Sequence, residues 1–270
     1  MTDEKDKDGK YELALVLSGS GARGMAHIGV IKILEKNNIT PNIIIGTSVG
    51  SLVGGMYAAG CLDKFEKDLT SKSEGEIRKI LKLWPSGEGL IKTQKLEKEL
   101  RKIIGNRKIE ELDKKFMALT VDLLTGKKLM YDKGDLCQAI LASIAIPLVF
   151  PPVHKEGMLL VDGGLEDPLP IDYGFSFAKK VIAVNISYSL EKLPKKEKYN
   201  FGDIFERATI IIQDEITENA LEKYKENLVI LAPEVDIGTL SFSKTKEAIS
   251  IGEAETEKHI EEIKKLVLGT

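Results

Sequence analysis

The run Ile43-Ile44-Ile45-Gly46-Thr47-Ser48-Val49-Gly50 constrains this chain more than any other stretch. Three β-branched residues lead into G-x-S-x-G, and small residues (Ser51, Gly54, Gly55, Ala58, Ala59) follow in a helical pattern. Strand, turn and helix in immediate succession form the setting in which a serine is lifted out of a sheet as a nucleophile. The turn is too sharp for bulk beside its apex, and Gly46 and Gly50 remove the Cβ atoms that would collide there. Ser48 then projects into a cleft, with the N–H groups and dipole of the following helix facing any anion formed beside it. A plain strand–loop–helix corner with serine as the helix cap is the competing reading.

A second glycine turn lies one helix upstream. The apolar run 13–17 reads as a buried parallel strand and empties into Ser18-Gly19-Ser20-Gly21-Ala22-Arg23-Gly24, before a helix at about 25–36. G-x-G-x-x-G between strand and helix invites a dinucleotide reading, but that needs an acidic residue closing the second strand. Here the second strand ends in the serine turn instead. Adjacent parallel strands bring both glycine turns to one carboxyl edge, where sheets of this kind bind ligands. N–H groups around Ser20, Gly21 and Ala22 then face the site beside Ser48, as an acyl-transfer oxyanion requires. Arg23 reads as a structural charge steadying the loop, with an anion contact as the alternative.

Composition removes other classes. With 43% hydrophobic residues, 30% charged residues and net charge −3 in 270 residues, one globular α/β domain over 12–270 is expected after a disordered tail at 1–11. Nothing favours nucleic acid, and no window spans a membrane or resembles a signal peptide, so a cytoplasmic location is expected. Cys61 and Cys137 read as buried thiols, and no metal or cofactor is expected.

Further strands are expected at 116–122, 128–131, 158–161, 181–186 and 228–231, with helices at 135–146, 203–224 and 244–267. The helix at 203–224 is expected to turn Ile204, Ala208, Ile211, Ile212 and Ile216 inward. Between 62 and 105 the pattern is helical and charged, with Ile77, Ile80, Leu81, Leu83 and Trp84 as one stripe. It fits helices packed on the core; alternatively, a mobile cap at 65–95 meets lipid through its apolar face.

A serine hydroxyl needs a base. Asp162 closes an apolar strand just before Gly163 and Gly164, which puts it at the same sheet edge as Ser48. A turn-forming aspartate is the alternative. Its reference pKa near 3.9 makes it a weak base, and burial raises it toward useful values. Of the three histidines, His27 reads as a packing residue, His154 as part of an exposed turn, and His259 as part of a solvated helix face. The order Ser48, Asp162, His259 nonetheless matches an α/β-hydrolase triad.

Taken together, Gly19–Gly24, Gly46–Gly50 and Asp162–Gly164 resemble the patatin-like phospholipase family, most closely its small bacterial single-domain members. The likeness extends over roughly residues 12–265. It implies a three-layer α/β/α fold with a mostly parallel sheet, and a Ser–Asp dyad in place of a triad. By position, Ser48 is then the nucleophile, Asp162 the base, and the loop Gly19, Ser20, Gly21, Ala22 and Arg23 the oxyanion hole. The implied activity is metal-free hydrolysis of lipid acyl esters, with transient contact to a membrane surface. Ser18 and Ser20 depart from the family's consecutive glycines, which bears on rate more than on fold. A non-catalytic acyl-lipid-binding protein on the same scaffold is the rival from another class.

Overall fold

The computed structural model describes residues 5–19, 21–80, 83–86, 89–91, 93–186, 195–238 and 241–269. Its centre is β1 (Tyr11–Leu17), which runs through a 3-10 turn (Gly21–Met25) into α1 (Ala26–Lys36), β2 (Ile43–Thr47) and α2 (Val49–Ala58). Then come α3 (Leu62–Ser71), α4 (Glu74–Ile80), β3 (Leu83–Ser86), β4 (Gly89–Ile91) and α5 (Thr93–Ile104). The middle of the chain holds β5 (Lys115–Asp122), β6 (Lys128–Tyr131), α6 (Leu136–Ser143), β7 (Val153–Lys155) and β8 (Met158–Asp162). The remainder is α7 (Ile171–Phe177), β9 (Ala178–Val184), α8 (Phe201–Leu221), β10 (Leu228–Leu231), α9 (Thr245–Lys258) and α10 (Ile260–Leu268).

The main sheet runs β10-β9-β1-β2-β5-β8-β7, with β6 also on β5. Strands β10, β9, β1, β2 and β5 are parallel, whereas β6, β7 and β8 run antiparallel to their neighbours. Both faces are covered, which is why the central strands are continuous apolar runs. Leu13, Leu15, Leu17 and Ile44 pack on the side of α1, α2, α6 and α9, while Ala14, Val16, Ile43 and Ile45 pack toward α7. The result is a three-layer α/β/α sandwich.

Register around β5 sets up the site. Leu119 pairs with Thr47 of β2 and Thr120 with Asp162 of β8. Strand β6 pairs with Ala118 through Val121, overlapping both partners. A strand has two edges, so β2 and β8 share the edge opposite β6 and converge on it from opposite directions. Ser48 and Asp162 meet where these strand ends face each other, rather than at a common carboxyl edge of parallel strands.

Several expectations are corrected. Leu83 and Trp84 lie in β3, paired with β4, not on a helical stripe; Leu81 lies outside the described residues. The last helix is broken at His259 into α9 and α10. His154 belongs to β7, not a turn. On α8, Ile204, Ala208, Ile211 and Ile212 face solvent, and the buried positions are Ile210, Thr217 and Ala220. Phe65 and Ile77 are buried, and Leu69 and Leu96 pack against the main core. Within the N-terminal stretch, Asp6 accepts hydrogen bonds from the Lys10 and Asp8 N–H groups and pairs with Lys179. Both cysteines are buried and free.

Candidate active site

Strand β2 delivers Ser48 at φ 54° and ψ −127°. That backbone is strained for an L-residue and costs on the order of 1–3 kcal/mol. The surroundings hold it there. The Ser48 N–H donates to Ser143 Oγ at 3.0 Å, and that hydroxyl donates to the Leu119 carbonyl at 2.7 Å. The Ser48 carbonyl accepts the Ser51 hydroxyl at 2.6 Å. A Cβ on Gly46 would sit 2.5 Å from the Gly50 carbonyl, and one on Gly50 would sit 2.3 Å from the Leu17 carbonyl. Glycine is therefore required at both positions by backbone crowding. Gly24 has the same function one layer out, since a Cβ there would strike Val49 Cγ1 at 2.0 Å.

Asp162 caps the short turn 163–165, with Oδ1 accepting the Gly164 N–H at 2.7 Å. Gly163 lies against the Leu119 carbonyl, which a Cβ would approach to 2.5 Å. The Asp162 N–H donates to the Ala145 carbonyl at 3.0 Å. Burial pushes its carboxyl up to about 6, and hydrogen bonds from the Ser48 hydroxyl and the Gly164 N–H pull the other way. Further ties fix the two loops to each other: Thr47 Oγ1 donates to the Asp167 carbonyl at 3.0 Å, and Gln213 Nε2 to the Gly164 carbonyl at 3.0 Å. The Asp167 carboxylate itself pairs with Lys128 at 3.1 Å.

The glycine loop approaches Ser48 closely. A Cβ on Gly19 would come within 3.2 Å of Ser48 Cβ. Its N–H, however, donates to the Pro168 carbonyl at 3.2 Å, so Gly19 provides clearance and not an oxyanion donor. Ser20 lies outside the described residues. Gly21 (φ 57°) and Arg23 line the cavity, whereas Ala22 is wholly buried behind it. The Arg23 guanidinium is buried and stands 3.9 Å from the Glu206 carboxylate of α8. Ser18 Oγ receives the Ile186 N–H at 2.8 Å, and the Ser18 carbonyl accepts the His27 Nε2–H at 2.9 Å. Burial drives His27 down to about 4, so it is a neutral strut.

Ser48 and Asp162 open together into a cavity of about 460 Å³, whose walls include Ile146, Leu165, Phe205, Ile210 and Gln213. A smaller cavity of about 120 Å³ also borders Ser48. No histidine lines either one. His259 instead bonds Glu262 and Glu255 at the break between α9 and α10. Among the described residues, no group of three or more His, Cys, Asp or Glu is placed to hold a metal. Sequence reasoning missed Ser143, Gln213 and Glu206. Only Ser143 carried any local signal, as a hydroxyl in an otherwise apolar helix.

A serine on a sharp strand-to-helix turn beside a buried aspartate, in a three-layer α/β/α sandwich, defines the class of scaffold. The comparisons narrow that class. The profile of the patatin-like phospholipase family matches residues 15–175, and the chain belongs to that family. An uncharacterized NTE family protein of Mycobacterium tuberculosis (strain H37Rv) is 42% identical over 159 residues, covering 59% of this chain and 44% of the relative. Lysophospholipase NTE1 of Scheffersomyces stipitis is 28% identical over 273 residues, covering 89% of this chain and 17% of the relative. The chain thus spans less than half the length of these relatives. VipD from Legionella pneumophila shares the fold, with a TM-score of 0.51 and 13% identity over 96% of this chain and 69% of that one.

Proposed function

We propose that the protein hydrolyses carboxylic esters of lipids through a Ser48–Asp162 dyad and a covalent acyl-enzyme. The observation that carries this reading is a strained serine hydrogen-bonded to a buried carboxylate whose pKa lies near 6, both opening into a largely apolar cavity. A carboxylate at that value is ionised at neutral pH yet basic enough to share in proton transfer. Asp162 takes the hydroxyl proton as Ser48 Oγ attacks the ester carbonyl. N–H groups of the glycine loop around Gly21 stabilise the oxyanion. Collapse breaks the acyl–alkoxy bond, and Asp162 returns its proton to the departing alcohol. A water then gives its proton to Asp162 as it attacks the acyl carbon; collapse breaks the acyl–Oγ bond, Asp162 returns that proton to Ser48 Oγ, and the acid leaves. The names of the relatives support a lipid as the acyl donor.

Contact with a lipid surface belongs to the same reading. No helix among the described residues is long and apolar enough to cross a membrane. Four exposed apolar residues, Phe201, Ile204, Ile211 and Ile212, lie on α8, which walls the cavity, and the exposed Leu165 lines it. An apolar stripe of that kind suits shallow insertion among headgroups.

Intact mass after exposure to a long-chain alkyl fluorophosphonate tests the chemistry. Wild type should gain one adduct, Ser48→Ala none, and Asp162→Asn should label at least about 100-fold more slowly, as loss of a general base requires. Absence of an adduct on folded wild type would favour a non-catalytic acyl-lipid-binding role.

A further inference from the structure

We infer that the two cavities beside Ser48 divide the ester between them, the acyl chain entering the smaller one and the alcohol leaving through the larger. This rests on the hydrolase reading above. The two spaces share Gly21, Ser48 and Ile146, so the serine oxygen stands at their junction. A carbonyl carbon bonded there carries two substituents that must depart in different directions. Each cavity accepts one.

The position of the base decides which. Asp162 lines the larger cavity and not the smaller. The alcohol must receive its proton from Asp162 as the acyl–alkoxy bond breaks, and water must lose one to the same carboxylate as it attacks. Both events therefore take place on the larger side. That side also carries Asn185, Thr209, Gln213 and Asp214, polar groups that suit a hydrated leaving group.

The smaller cavity is dry in character. Leu52, Phe65, Leu69, Leu100 and Phe242 are among its walls, beneath α3, α4 and α5. Its three charged residues are mutually paired, Lys72 with Asp68 and, at 3.7 Å, with Glu99. A polar headgroup placed there would lose water without gaining partners, an unfavourable exchange. A methylene chain loses nothing. The volume of about 120 Å³ holds roughly four groups of water size.

The test holds the leaving group constant and varies the acyl side, using p-nitrophenyl acetate, butyrate, hexanoate and octanoate. Wild-type kcat/KM should climb by roughly fourfold per methylene from acetate to hexanoate, the transfer value of a buried CH₂. Leu69→Trp fills the small cavity and should cut the hexanoate-to-acetate ratio at least tenfold. Phe242→Ala enlarges it and should raise the octanoate-to-acetate ratio. Labelling by diisopropyl fluorophosphate reports whether each variant retains a reactive Ser48. If both variants label yet keep the wild-type profile, or if Phe205→Trp in the larger cavity reshapes it instead, the division is overturned and the hydrolase reading stands. If wild type neither labels nor turns over any ester, the hydrolase reading falls and takes this inference with it.

Discussion

Asp162 shows how one buried side chain sets activity and stability against each other. Its carboxyl is raised from an ordinary 3.8 to about 6 because burial disfavours the charged form. Between those values the folded chain holds a proton that the unfolded chain has released, so stability from this group falls as pH rises. Above about 6 the whole penalty is present; below 3.8 it is absent. Asp162→Asn should therefore be more stable than wild type at pH 8, by on the order of 2–3 kcal/mol, and unfold at a higher temperature, with the gap closing by pH 4. Paired calorimetric scans would check it, and equal gaps at both pH values would remove the linkage. On the proposed mechanism activity runs the other way: kcat/KM should rise with pH through about 6 and then level, because only the ionised carboxylate would accept the serine proton. At this scale Ser48, Asp162 and their flanking glycines were legible, since each sits in a short motif whose backbone geometry is local. The hydroxyl of Ser143 and the amide of Gln213 were not, because what they bond lies far off in sequence.

Helices were harder to read than strands, and α8 shows why. Its apolar residues recur with a period that a helix would bury, yet Phe201, Ile204, Ile211 and Ile212 are all more than half exposed. Periodicity locates an apolar stripe without saying what covers it. The contact between α1 and α9 was illegible for the opposite reason. It is made by absent side chains: a Cβ on Gly29 would lie 2.0 Å from the Ile249 carbonyl, and one on Gly252 would lie 2.1 Å from the Ala26 carbonyl. Two effects compete in Gly252→Ala. Helix propensity favours alanine by about 1 kcal/mol, but a contact that short against backbone forces the helices apart at about 1–3 kcal/mol or more. The clash wins. A urea titration should show net destabilisation, and a gain in stability would mean that α9 slides freely on α1. Because α1 begins where the glycine loop ends, the same variant should also slow fluorophosphonate labelling of Ser48.

For the molecule as a whole, the proposed lipid contact sets the exposed apolar face of α8 against the surface. Ile204→Glu with Ile211→Glu should lower binding to phosphatidylcholine vesicles at least roughly tenfold, given the burial value of two isoleucines. Hydrolysis of dissolved p-nitrophenyl butyrate serves as the comparison, and a co-sedimentation assay that finds equal binding would discard this face. Buried parallel strands were legible from the apolar runs and the layered sandwich from the family resemblance, whereas the reversed direction of β8 was not, since strand direction follows from pairing partners that no local pattern reveals. With β8 reversed, β5 sets the spacing between the strand ends that carry Ser48 and Asp162. Leu119 sits beside Thr47 and Thr120 beside Asp162, so a single step along β5 spaces the two halves of the site. Such a step is about 3.4 Å. Strand β5 acts as a ruler for the two strand ends. One residue inserted between Leu119 and Thr120 would turn one side of the site to the wrong face.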